Sequence, residues 1–340
     1  MRVTGLGHAV PAPVGQPDLW KGFFADRYAG VRSAERVFAS SGVDTRHTVV
    51  NPSVEDISDW GTEARMRRYL AEAMPLGKSA VGAALADAGV AADDVGLFAV
   101  ATCTGYATPG LDILLARDLG MRADLQRLLV GHMGCYAALP GLAAVADYVA
   151  SRRRPAVLLC LELTSLHLQP PTTGMDQVVT HALFGDAAAA VVVQPGDGPG
   201  LRMLDMAART DVATADHMTW DVTDQGFRMG LSPRVPSVLA RHVGSVVEEL
   251  LAAHGLGYGD VDGWAVHPGG RRILEAVGTS LGLTEAALEP SYDVLRGYGN
   301  CSSPTVLLVL EALRQRRART VVAMAFGPGL TLYAGLLQAP

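Results

Sequence analysis

Charge, cysteine and aromatic rings are all scarce in this 340-residue sequence. Only 18% of it is charged and 6% aromatic, where an ordinary soluble domain carries roughly 25% charge. With 49% hydrophobic residues beside so little charge, disorder is excluded, and no collagen or heptad period is present. Four cysteines (Cys103, Cys135, Cys160, Cys301), none in a CxxC pair, are too few for a disulfide framework and give no zinc motif. There is no polybasic block beyond Arg152-Arg153-Arg154, and 28 basic against 34 acidic residues leave a net charge of −6. Nucleic acid and anionic membrane are therefore not expected partners.

The opening MRVTGLGHAVPAPVG lacks an apolar core of signal-peptide length. Two long uncharged runs, Leu128 to Ala146 and Val321 to Pro340, are interrupted by glycine and proline and read as buried core rather than membrane spans. The expectation is a cytoplasmic enzyme with no membrane partner. At this length it forms one large domain or two fused ones.

What the sequence has is repetition. GCYAALPGLAAVADYVASRRRPAVLLCLE from Gly134 and GNCSSPTVLLVLEALRQRRARTVVAMAFG from Gly299 share one plan at an offset of 165. Each has a glycine, a polar or reactive residue, an apolar helical run, an arginine-rich end and a short apolar strand. Val95–Thr102 and Val261–Pro268 match as strands entering loops, and AAAAVVVQ (187–194) matches LTLYAGLLQ (330–338) as a late strand. Generic alternation of helix and strand is the bland alternative, but three matches in one order favour duplication. Two related α/β halves follow, 1–195 and 196–340, packed about a pseudo-dyad, with Gly196-Asp-Gly-Pro-Gly200 as the linker. LFAVA, AVLLCLEL and TVVAMAF read as strands covered on both faces.

The repeat also brings chemistry together. Cys135 follows a glycine at a predicted helix start, where free N–H groups and the helix dipole favour a thiolate below the free pKa of about 8.5. Taken alone, such a cysteine is ordinarily a buried structural one. Asn300, however, occupies the pseudo-equivalent helix start, and His267 lies at the loop end of a strand. A pseudo-dyad makes the three converge. Histidine beside a thiol suits acyl transfer through a thioester, and an asparagine amide with a histidine N–H suits a developing enolate or oxyanion.

Five segments in this order resemble the signatures of type III polyketide synthases, the chalcone synthase-like group of the thiolase superfamily. They are Gly134-Cys135-Tyr136, Leu183-Phe184-Gly185-Asp186, His267-Pro-Gly-Gly270, Gly299-Asn300-Cys-Ser302-Ser303 and Gly327-Pro328-Gly329-Leu330. The resemblance covers roughly residues 90–335, and SGVDTRH (41–47) shares the family's flavour. It implies a thiolase fold of layered αβαβα type and a homodimer. Coenzyme A thioesters, acyl-CoA and malonyl-CoA, would serve as substrates, with no separate cofactor and no metal.

By the same resemblance Cys135 loads the starter, while His267 and Asn300 promote decarboxylation of malonyl-CoA. Phe184 matches a gating aromatic, and Met229 stands where a second aromatic is usual. Cys103 falls where the family's cavity wall runs, Ser302 and Gly329 are expected among the substrate-binding residues, and Arg36 falls near a coenzyme A-binding position. Trp220 stands where chalcone-forming relatives carry glycine, and His167 replaces a smaller threonine, so a small starter or few extensions are expected. The alternative is a β-ketoacyl carrier-protein synthase of the III type, whose histidine motif usually continues Gln-Ala-Asn instead of Pro268-Gly-Gly270. A papain-like hydrolase uses the same three residue types in the same chain order, but has no internal duplication.

Overall fold

Apolar β-branched and alanine-rich runs fold into the middle of the molecule, and helices with one apolar face cover them. The structure, a computed structural model, describes residues 1–340. Its first half holds β1 (Arg2–Ala9), β2 (Pro13–Gly15), β3 (Thr45–His47), β4 (Leu97–Thr102), β5 (Gln126–Gly131), β6 (Ala156–Glu162) and β7 (Ala187–Gln194). Its helices are α1 (Gln16–Leu19), α2 (Ala25–Arg27), α3 (Ala34–Ala39), α4 (Thr62–Ala88), α5 (Leu111–Asp118), α6 (Ala138–Arg152) and α7 (Met175–Leu183). The second half has β8 (Leu201–Thr210), β9 (Met218–Thr223), β10 (Gly226–Leu231), β11 (Gly263–Val266), β12 (Thr320–Gly327) and β13 (Thr331–Gln338). With them are α8 (Val235–Ala252), α9 (Arg271–Leu281), α10 (Glu289–Tyr298) and α11 (Pro304–Gln315).

Nine strands form one mixed sheet in the order β11-β12-β13-β8-β1-β7-β6-β4-β5. Its middle is a narrow seam: β1 meets β8 through Arg2↔Arg202 and Val3↔Leu201 only. Outward from that seam the two sides repeat one pattern. β1 pairs β7 and β7 pairs β6 antiparallel, then β6 pairs β4 parallel; β8 pairs β13 and β13 pairs β12 antiparallel, then β12 pairs β11 parallel. Matching elements take matching places, including α6 with α11, which follow the two repeated glycines. The linker glycines lie between β7 and β8.

Three apolar cores fill the layers. One wraps α6 and α11 between the two half-sheets, one lies under α4 and α5, and one lies under α8 and α9. This is the αβαβα arrangement. The three apolar strands read from the sequence are β4, β6 and β12, each buried along its whole length, as strands sandwiched between helices must be.

No helix is long and apolar enough to cross a membrane. The run 321–340 is the buried β12–β13 pair, as expected. The run 128–146 corrects the reading of uniform core. Its α6 portion is buried, but β5 at its start is an exposed sheet edge, with Leu128 and Leu129 38% and 53% accessible. The strand ends the sheet order, so nothing pairs its outer side, and it has no counterpart in the second half.

Candidate active site

The loops at the parallel ends of the two half-sheets deliver the three reactive side chains to one place. Cys135 sits in a 3₁₀ turn (Gly134–Tyr136) just ahead of α6, so the thiol precedes the helix instead of opening it. Gly134 has φ +69°, and a Cβ there would stand 2.9 Å from Pro328 Cδ. The Gly327-Pro328-Gly329 loop thus presses on the turn that presents the thiol.

His267 follows β11, its backbone N–H donating to Met324 O of β12 at 2.7 Å. Asn300 forms an isolated parallel bridge with Phe184. Its N–H donates to Leu183 O at 2.8 Å, and its carbonyl accepts from Gly185 N at 3.0 Å. Gly299, at φ +71°, makes this possible, because a Cβ would lie 2.5 Å from Leu183 O.

The Asn300 amide is oriented. Its Oδ1 accepts from Ser302 N at 2.8 Å and from the Cys135 thiol at a long 3.9 Å, and Nδ2 leans on Gly269 O at 3.4 Å. Cys135 and Asn300 are 5% and 2% accessible, His267 1%. Neither ring nitrogen of His267 has a partner within the protein.

Burial dominates the electrostatics. It pushes the Cys135 thiol up to about 11, against the pull of Ser302 and Asn300 and with a further push from buried Glu162. It lowers His267 to about 3. Both shifts favour a thiol beside a neutral imidazole, the opposite direction from the thiolate expected at a helix start. The helix dipole acts weakly here, since the sulfur stands ahead of α6.

Two chambers lie here, the trio on the wall of the outer one. The outer one, about 440 Å³, is lined by Cys135, His267 and Asn300 and opens past Ser40, Pro233, Arg271 and Arg272. The inner one, about 60 Å³, is lined by Arg46, His167, Trp220 and Phe227 among others. Phe184 and Met229 line both and form the partition. The inner wall is aromatic and rigid. His167 stacks on Phe227 at 4.5 Å and meets Trp220 edge-on at 5.4 Å. Trp220 Nε1 donates to Cys103 O at 2.7 Å; His167 donates from Nε2 to Thr104 O and accepts at Nδ1 from Phe227 N. Burial lowers His167 to about 4, so it stays neutral.

Cys103, Ser302, Gly329 and Arg36 do not line either chamber. Cys103 is held beneath the site, its thiol donating to Glu162 at 3.3 Å and lying 3.9 Å from Ser302 Oγ. Ser302 supports Asn300 from a left-handed backbone at φ +56°. Gly329 belongs to the loop behind Cys135. Arg36 points outward from α3, although Val37 of that helix and Ser40 just after it do reach the outer chamber. The cations at the mouth are Arg271 and Arg272, missed because they follow the HPGG segment as an ordinary helix start. Glu162 was missed too. Fully buried, it accepts from Cys103 N, Thr104 Oγ1 and Ser303 Oγ, and a lone acid in the run AVLLCLEL was the available signal.

Comparison with known proteins gives the same picture across the chain. A family model described as chalcone and stilbene synthases, N-terminal domain, matches residues 2–199, and the C-terminal domain model matches 204–339. A 1,3,6,8-tetrahydroxynaphthalene synthase of Streptomyces peucetius subsp. caesius is 37% identical over 314 residues, covering 89% of this chain and 82% of the relative. The alpha-pyrone synthesis polyketide synthase-like Pks18 of Mycobacterium tuberculosis is 33% identical over 315 residues, covering 87% of this chain and 80% of the relative. The solved 1,3,6,8-tetrahydroxynaphthalene synthase of Streptomyces coelicolor A3(2), a bacterial type III polyketide synthase, superposes with a TM-score of 0.94 at 28% identity, over 100% of this chain and 99% of that one.

Proposed function

Because the chain belongs to the chalcone and stilbene synthase family and is a type III polyketide synthase, we propose that Cys135, His267 and Asn300 carry its condensation chemistry. The convergence of these three side chains on one chamber wall is the observation behind the reading. Cys135 Sγ attacks the carbonyl of an acyl-CoA starter, its proton passes to His267, and coenzyme A leaves as the thiol. Starting from neutral partners, this proton moves as the S–C bond forms. Malonyl-CoA then loses CO₂, and the resulting acetyl-CoA enolate is held by Asn300 Nδ2 and a His267 N–H. The enolate carbon attacks the acyl-Cys135 carbonyl, the thiolate departs, and a chain longer by two carbons remains on coenzyme A. No step is a redox step, so coenzyme A thioesters suffice without a resident cofactor.

Arg271 and Arg272, at the start of α9 and on the outer chamber's rim, suit the phosphates of coenzyme A. The inner chamber receives the growing acyl chain, with Phe184 and Met229 as its gate. Its 60 Å³ is well under the ~150 Å³ of a cavity that takes up benzene. Small aliphatic starters or few extensions, followed by cyclisation, are thus favoured over an aryl tetraketide. The unpaired edge of β5 suits a homodimer, since an exposed strand edge is a template for pairing with another chain. The test is to incubate the protein with malonyl-CoA and a panel of acyl-CoA starters, without carrier protein. Acyl mass on Cys135 and released polyketide support the reading; strict dependence on a carrier protein would replace it with the β-ketoacyl synthase alternative.

A further inference from the structure

The inner chamber has four unsatisfied polar atoms on residues of its wall. Arg46 Nε and Nη2, Thr48 Oγ1 and His181 Nε2 are all buried and all without a hydrogen-bond partner. Arg46 is 4% accessible and His181 8%. The guanidinium is anchored by one end only, Nη1 donating to the carbonyls of His181 and Phe184 at 2.5 and 2.9 Å. The acid whose field reaches it, Asp186, does not pair with it. Its oxygens are taken by Val49 N, Ser165 N, Ser165 Oγ and Thr164 Oγ1. A buried guanidinium with neither counter-ion nor full hydrogen bonding is strongly unfavourable unless something completes it.

We infer that Arg46, Thr48 and His181 form a subsite for the carboxylate end of a short acyl chain. Nε–H and the Nη2 N–H beside it point the same way, the side-on fork that receives both oxygens of a carboxylate. Thr48 Oγ1 adds a hydroxyl donor. The Tyr28 hydroxyl lies 2.6 Å from His181 Nδ1, and when it donates there, His181 carries its proton on Nε2 and becomes a further donor. The chamber's 60 Å³ leaves room for a carboxylate beside these donors. The substrate class is a thioester of a short dicarboxylic acid. Malonyl-CoA is its shortest extendable member, so the extender would also serve as starter. This deepens the proposed function, since it takes the inner chamber as the acyl site.

Succinyl-CoA and butyryl-CoA share a four-carbon acyl skeleton and differ in a carboxylate against a methyl. In a Cys135→Ala protein, which forms no thioester, calorimetry should find succinyl-CoA bound at least about tenfold more tightly, the scale of a charge-assisted hydrogen-bond pair. Arg46→Met should abolish that preference, and Thr48→Val, which keeps the side-chain shape, should reduce it severalfold. Equal affinities in the parent protein, or a preference intact in a folded Arg46→Met variant, would overturn the subsite. If Arg46→Met does not fold, an undiminished preference in Thr48→Val does the same. The underlying reading fails separately: wild-type Cys135 would gain no acyl mass from either thioester while the binding preference persisted.

Discussion

Replacing Trp220 with alanine is the sharpest test of how this enzyme limits its product. The indole lines a chamber of about 60 Å³ and is held by the Nε1–Cys103 carbonyl bond at 2.7 Å and by edge contacts with His167 and Phe227. Removing it merges the vacated volume with the chamber, which then exceeds the ~150 Å³ at which a protein cavity takes up benzene. A fully buried Trp→Ala change loses ~3–5 kcal/mol. Trp220 is only half-buried, and water can reach the orphaned Cys103 carbonyl, so a loss of roughly 1–3 kcal/mol is expected. That is tolerable for most domains. The assay is product mass and kcat/KM across acetyl-, butyryl-, hexanoyl- and benzoyl-CoA. The ratio of benzoyl to acetyl kcat/KM should rise on the order of 10–100-fold, since each added apolar group that fits contributes ~1–3 kcal/mol. Trp220→Phe should fall between. A folded, active Trp220→Ala enzyme with the wild-type starter and product profile would refute the reasoning.

Three further outcomes follow from the site and the sheet edge. Asn300→Ala should slow condensation ~10²–10³-fold, the usual effect of losing one oxyanion donor, while acylation of Cys135 followed by intact mass suffers less; equal losses would make Asn300 structural. Burial holds the thiol up at about 11 and His267 down at about 3, so the thiolate is a minor species throughout the neutral range. Iodoacetamide alkylation of Cys135 should therefore climb about tenfold per pH unit from 6 to 9, Glu162→Gln should move the profile to lower pH, and a plateau already reached below pH 7 would reveal a preformed ion pair. Leu129→Lys on the exposed edge of β5 should shift the mass in light scattering from dimer to monomer with little change in melting temperature; an unchanged dimer would put the interface elsewhere.

The duplication was legible because it is written in local units. A glycine, a helix and a strand recur at a fixed spacing, and each half-sheet must bury the same elements in the same order. The trio was legible for the same reason, since two of its members occupy equivalent places in the repeat. Trp220 could be put on the cavity wall by counting along a hairpin, because β9 and β10 stay in register, Trp220 opposite Met229. Arg46 could not be assigned this way. Whether its guanidinium has a partner depends on Asp186 and on carbonyls more than 130 positions away in sequence. Helix-start logic sees the nearest turn and not the desolvation that the whole fold imposes, which pushes the Cys135 thiol the other way. Arg36 and Arg271 differ only in which one the packing of α3 and α9 turns toward the mouth.

The bridge between Phe184 and Asn300 sets the tempo of the gate. The backbone of Phe184 is pinned on three sides: its N–H donates to Thr180 O, its carbonyl accepts from Arg46, and the next N–H donates to Asn300 O. A lid that swung on this loop would drag the Asn300 amide with it at every cycle. What remains free is rotation of the ring about its own side-chain bonds, a smaller motion than the loop closure that takes microseconds to milliseconds. Such a door turns without moving the backbone, so it gives no stepwise record of extensions. On the proposed reading, the ruler for chain length is then the fixed floor beyond it, and extension stops when that floor is full.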